Sequence, residues 1–227
     1  VKKKVIKIIV AGAAAISALT VVPNTATAST GPAAGVPASY LGTLRLSANG
    51  RAIRHTWQID PGRGGDCPAR SGALTSNVKV TKQGWVDLHT TGRIGSCAEV
   101  RSPQTWTAGV FEAKVWFAGD SSGAADWPAW WMSGNPWPNM GEIDAAEAGW
   151  NSYTRCLSAT WHYNANGPSG SYSPASSGST CISRRAPAWY LIDIVREPNG
   201  VVQVWYNGNL KWQRATGLAP QPENMLV

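Results

Sequence analysis

The sequence predicts an all-β domain, an antiparallel sandwich of two sheets, on three observations. The chain of 227 residues is rich in glycine (24), proline (15) and tryptophan (13), a make-up that suits many short strands joined by turns. Its clearest apolar pattern has a period of two: Phe111, Ala113, Val115 and Phe117 alternate with Val110, Glu112, Lys114 and Trp116. Hairpin signals such as Pro198-Asn199-Gly200 and Asn207-Gly208 stand between strand-like runs. Residues 40–227 are long enough to bury one core, and nothing in them marks a second domain.

Taken in order, residues 1–28 have the layout of a secretory leader. Lys2, Lys3, Lys4 and Lys7 form a positive start, residues 8–22 an apolar core, and Ala26-Thr27-Ala28 a cleavage site of small residues. The apolar run is too short and too interrupted to span a bilayer, so the mature protein is expected to have no membrane span and to be secreted. These residues are therefore left out of the expected fold. Four of the twenty basic residues go with the leader, and sixteen bases against thirteen acids leave a net charge of +3 rather than +7. No clustered Lys/Arg footprint remains, which argues against a nucleic-acid partner.

Residues 29–39 read as a flexible lead-in, and residues 40–59 as one or two edge strands. A glycine-rich loop (60–70) precedes a hairpin formed by residues 72–82 and 85–88, with its turn at Gln83-Gly84. Residues 98–118 predict two further strands; Glu112 on the second is expected to be structural, balanced by Lys114 or Arg101. After the loop at 119–126, residues 127–132 (W-P-A-W-W-M) form a strand on which Trp127 and Trp131 share a face and Trp130 takes the other. Residues 157–164 form another strand, residues 164–183 a long Gly/Ser/Pro-rich connection at the rim of a cleft, and residues 189–213 two hairpins in series.

The candidate chemistry lies in residues 141–148, G-E-I-D-A-A-E-A, where three of the thirteen acids fall within six residues. On a strand Glu142 and Asp144 share a face, and Glu147 is one residue late. One extra residue, a β-bulge at Ala145-Ala146, brings it back. Three carboxylates on one groove repel, and repulsion lets one stay protonated while another is ionised, the division of labour that glycoside hydrolysis requires. A helix with its acids in water is the competing reading; the flanking glycines and strand-like runs favour the strand.

E-I-D-A-A-E, preceded by W-P-A-W-W-M, resembles the active-site strand of family 16 of the glycoside hydrolases, in the bulged form of its β-1,3-glucanase-like members. The similarity runs from about residue 70 to the end and includes G-V-F-E-A-K-V at 109–115 and T-W-H-Y at 160–163. It implies a jelly-roll sandwich of the concanavalin A type. It also implies Glu142 as nucleophile, Glu147 as general acid and then base, and Asp144 as the residue that tunes them. Members usually carry bulkier apolar residues than Ala145 and Ala146. In relatives the strand beginning near Met225 continues and completes the sheet, so a last strand is expected to be missing here. Catalysis of this kind needs no cofactor; relatives hold a structural calcium ion, for which the sequence offers no evident ligands.

Thirteen tryptophans exceed what one core uses, so some are expected to line a groove, where indole faces stack on sugar rings. Trp127, Trp131 and Trp137 are the candidates for substrate binding, with His162 beside them on the neighbouring strand. An even number of cysteines in a secreted chain predicts disulfides, Cys67 with Cys97 and Cys156 with Cys181 as the pairing that closes the shortest loops. A zinc site built on these cysteines is disfavoured, because no C-x-x-C spacing occurs. The expected function is a monomeric, retaining endo-glycosidase acting on a polysaccharide, a β-1,3- or β-1,3-1,4-glucan. A transglycosylase and a non-catalytic sugar-binding module on the same scaffold are the alternatives.

Overall fold

The structure, a computed structural model, describes residues 6–12, 46–48, 57–59, 77–89, 98–149, 155–218 and 220–226, the first two segments as strands only. Five strands come first: β1 (Ile6–Gly12), β2 (Leu46–Ala48), β3 (Gln58–Ile59), β4 (Val78–Val80) and β5 (Val86–Leu88). The middle of the chain supplies β6 (Val100–Trp106), β7 (Gly109–Phe117), β8 (Gly119–Asp120), β9 (Gly123–Ala124), β10 (Ala129–Ser133) and β11 (Glu142–Glu147). There follow β12 (Leu157–Asn164), β13 (Pro174–Ser176), β14 (Thr180–Ser183), β15 (Ala188–Arg196), β16 (Val201–Tyr206), β17 (Asn209–Ala215) and β18 (Glu223–Leu226).

Two sheets of eight strands form the sandwich. One runs β17-β16-β15-β7-β1-β5-β4 with β2 against β1; the other runs β13-β12-β11-β10-β18-β6-β3 with β14 against β12. The alternation in β7 does what the period of two requires. Phe111, Ala113, Val115 and Phe117 are buried in the shared core, where they meet Trp130, Met132, Ile143, Ala159 and Met225 from the other sheet. The predicted hairpins are present: β4 pairs with β5, and β15, β16 and β17 pair in series with turns at Pro198-Asn199-Gly200 and Asn207-Gly208. Asn207 has φ 50°, a left-handed conformation that asparagine tolerates, followed by Gly208 at 74°.

Ile6–Gly12, within the stretch read as a leader, forms a strand between β7 and β5. A short run of isoleucine and valine suits a leader's apolar core and a strand equally, and hydrophobicity alone does not separate them. Residues 223–226, at the end of the sequence, lie inside the second sheet between β10 and β6.

Cys156 and Cys181 are disulfide-bonded, with Cα atoms 5.7 Å apart. A loop of 25 residues stabilises by about 3.5 kcal/mol in the chain-entropy model. The Cys67–Cys97 pairing falls outside the described residues. Arg196, at the end of β15, and Glu223, at the start of β18, join the two sheets through a buried ion pair of 3.2 Å. The guanidinium also donates to the carbonyls of Trp106 and Gln221, each at 2.8 Å. Burial pushes Glu223 up to about 7 against the opposing pull of Arg196.

Glu112 lies away from β11, directly across β7 and β15 from Asp193. Asp193 is completely buried, and burial, reinforced by the neighbouring Glu112 carboxylate, raises it to about 8. At neutral pH this pair holds a proton, and the neighbour that the sheet register gives Glu112 is the carboxyl group of Asp193, where the base Lys114 or Arg101 was expected.

Candidate active site

β11 sits inside the second sheet, between β10 and β12, and the predicted bulge is there. Asp144 faces Thr160 and Glu147 faces Ser158, so three steps along β11 match two along β12. Against β10 the slip falls in the same place, with Trp130 opposite Ala146 and Trp131 opposite Asp144. Ile143 faces the core by the ordinary alternation, the extra residue returns Glu147 to the side of Glu142, both glutamates stay partly exposed, and Asp144 lies between them at 3% exposure.

Ala145 and Ala146 are both wholly buried, so the small side chains are what the packing under the bulge admits. Its irregular backbone is secured from three sides. Tyr206, on the opposite sheet, donates its hydroxyl to the carbonyl of Ala145 at 2.9 Å across the core. Ser158 donates to the carbonyl of Glu147 at 2.9 Å, and the Ala148 N–H to that of Pro128 at 3.1 Å. At the other end Gly141 has φ 84°, and a Cβ there would stand 2.7 Å from Oε1 of Glu223. The Arg196–Glu223 pair thus abuts the entry to β11. Tyr206, Ser158 and Glu223 were not singled out from the sequence, where each is an ordinary strand residue far from the acid motif.

His162 lies directly across from Glu142. Its Nε2 is 3.5 Å from Oδ2 of Asp144 and 3.9 Å from Oε1 of Glu142. Burial lowers its pKa from 6.5, so the imidazole is neutral at neutral pH. Trp137, about half exposed on the loop between β10 and β11, has its ring 6.4 Å from that of His162. Trp131 is half-buried, opposite Asp144 and on the same face. Trp130 is fully buried on the other face, as the alternation requires.

Trp127 precedes β10 rather than lying on it, and its place differs from that of a strand residue sharing a face with Trp131. Its indole N–H donates to Oε1 of Glu147 at 2.8 Å, while 42% of the residue remains exposed. The structure therefore gathers Glu142, Asp144, Glu147, Trp127, Trp131, Trp137 and His162 on and around one face.

Among the described residues, one group of three His/Cys/Asp/Glu side chains converges closely enough for a metal: Glu142, Asp144 and His162, with donor atoms all within 4.8 Å of one another. One nitrogen and two carboxylates differ from the six to eight oxygens that calcium takes. No helix among them is long and apolar enough to cross a membrane.

Residues 71–184, half of the chain, match the family model described as "XgeA-like, catalytic GH16 domain". No curated protein matches the sequence. Among solved structures the fold is similar to LamAcat from Zobellia galactanivorans, at 17% identity over 75% of this chain and 78% of that one, with a TM-score of 0.53. It is similar to a β-glucanase of Bacillus licheniformis, at 18% identity over 75% and 76%, TM-score 0.53. A κ-carrageenase from Pseudoalteromonas carrageenovora, solved with an oligotetrasaccharide, is 12% identical over 75% and 73%, TM-score 0.51.

Proposed function

The chain belongs to family 16 of the glycoside hydrolases, and on that premise we propose that it is an exported, retaining endo-glycosidase that cuts β-1,3- or β-1,3-1,4-glucan by double displacement. The observation that carries this reading is the bulge, which puts Glu142, Asp144 and Glu147 on one face of β11. Glu142 attacks the anomeric carbon while Glu147 protonates the departing oxygen. Water then enters, Glu147 takes its proton, and the glycosyl–Glu142 bond breaks with net retention. The acid–base role is worth roughly 10²–10⁴ in rate.

Asp144, between the two and nearly buried, is the neighbour that sets how Glu142 holds its charge. Trp127 orients Glu147 through its 2.8 Å hydrogen bond. Trp131 and Trp137, beside the carboxylates, offer indole surface on which sugar rings lie. His162 borders Glu142 and contacts the sugar bound there. Tyr206, reaching across the core to the Ala145 carbonyl, keeps the bulge, and hence the spacing of the two glutamates, in place.

Two experiments test the chemistry. Glu142→Ala should abolish hydrolysis, and azide should restore turnover with a glycosyl azide of inverted configuration; unassisted turnover in the variant would remove the nucleophile assignment. Incubation with laminarin, lichenan and other β-glucans should release reducing ends. Redistribution of chain length would indicate a transglycosylase instead, and retention without cleavage a binding module. Export with cleavage after Ala28 would remove β1, so the exported protein should have an intact mass that starts at Ser29; a mass that includes residues 6–12 would contradict the leader.

A further inference from the structure

We propose that Glu142, Asp144 and His162 form a binding site for one zinc-class divalent cation, and that its occupancy switches hydrolysis off by engaging the nucleophile. The donor set is one imidazole nitrogen and two carboxylates, all within 4.8 Å of one another. Two ligands held at 2.0–2.1 Å on a tetrahedral ion stand about 3.3 Å apart. The separations of His162 Nε2 from Asp144 and Glu142, 3.5 and 3.9 Å, exceed a good hydrogen bond and lie close to what a shared ion spans. Small rotations of the glutamate and imidazole close the rest.

The frame is stiff where a site needs stiffness. All three residues lie on the adjacent strands β11 and β12, Glu142 directly opposite His162. The side chain of Asp144 is 5% exposed, while those of His162 and Glu142 are 23% and 19% exposed, so a water can supply the fourth ligand. An imidazole with two carboxylates favours zinc over the oxygen-seeking magnesium and calcium. A cation held by Glu142 withdraws charge from the attacking carboxylate and stands where the anomeric carbon must approach, so binding opposes turnover. The inhibitory part rests on Glu142 being the nucleophile; the binding part does not.

Titration calorimetry of the tag-free, chelator-treated full chain with zinc chloride should give one saturable site. His162→Ala and Glu142→Gln should each weaken it about tenfold or more, His89→Ala should leave it unchanged, and magnesium chloride should give no heat. Circular dichroism matched to the parent shows that the variants are folded, with His162→Gln as the replacement if His162→Ala is not. Cobalt(II) should give the intense visible absorption of four-coordinate geometry and lose it in the same variants. Hydrolysis of laminarin should fall in proportion to zinc occupancy and return with EDTA. Absence of a saturable site, affinity unchanged in both variants, or full turnover at full occupancy would overturn the proposal. A Glu142→Gln enzyme that still hydrolyses glucan would instead defeat the proposed mechanism, and the zinc titration would stand or fall separately.

Discussion

Replacing Gly141 by alanine tests how tightly the buried ion pair holds the entry to β11. Two costs add. With φ at 84°, any L-residue there enters the left-handed region at about 1–2 kcal/mol. The new Cβ would also stand 2.7 Å from Oε1 of Glu223, nearer than real contacts come. Glu223 cannot swing away freely, because Arg196 holds it at 3.2 Å and both side chains are about 1% exposed. Breaking that pair would leave a buried charge, at about 3–5 kcal/mol, so the chain will shift instead, at about 1–3 kcal/mol for an overpacked site. The sum is about 2–5 kcal/mol, and a shift next to Glu142 should lower kcat by up to about a hundredfold. Gly167→Ala is the control: its φ is 79° with nothing within 4 Å of the added carbon, so it carries the backbone cost alone. Urea denaturation followed by tryptophan fluorescence gives both stabilities. If Gly141→Ala loses no more than Gly167→Ala and keeps full activity, the ion pair does not position the strand as argued.

Tyr206→Phe removes the hydroxyl from the Ala145 carbonyl and should cost about 1–3 kcal/mol in urea melts together with a fall in kcat; a loss of stability alone would mean that the bulge holds its shape without it. Trp127→Phe keeps the ring but takes the donor from Glu147. Because that N–H favours the ionised carboxylate, the alkaline limb of the pH–rate profile should move to higher pH, and an unmoved limb would remove Trp127 as a positioning residue. Asp193 titrates near 8 in the fold against an ordinary 3.8, so the folded state holds the proton more tightly. Its contribution is fully present below about 4 and is lost as pH rises through 8, so thermal stability should fall across that window and fall less steeply in Asp193→Asn.

What could be read from the sequence was local. The bulge follows from the five-residue step between Glu142 and Glu147 with two alanines inside it, and the outward face of β11 follows from the bulge. The core face of β7 and the hairpins of β15 to β17 were legible for the same reason, since period and turn chemistry lie within a few residues. The supports of the site were not legible. Tyr206 is 61 residues from Ala145, and the Arg196–Glu223 pair meets Gly141 only after two sheets have stacked. Trp127 was recognisable as a groove residue, but an indole's flat face and its N–H edge are equally available to a sequence argument, and only the position of Glu147 selects the edge. The apolar run at 6–12 carried two compatible meanings, leader core and strand, and composition does not choose between them.

Covalent trapping of the glycosyl-enzyme tests the central claim most directly. A 2-fluoro-β-glucoside with a good leaving group slows breakdown of the intermediate more than its formation, so the intact mass should rise by one fluoroglycosyl unit. Peptide mapping should place that unit on the side chain of Glu142. Steady turnover of the same reagent with no adduct, or an adduct on Glu147 or any other residue, would contradict the double displacement assigned to this strand.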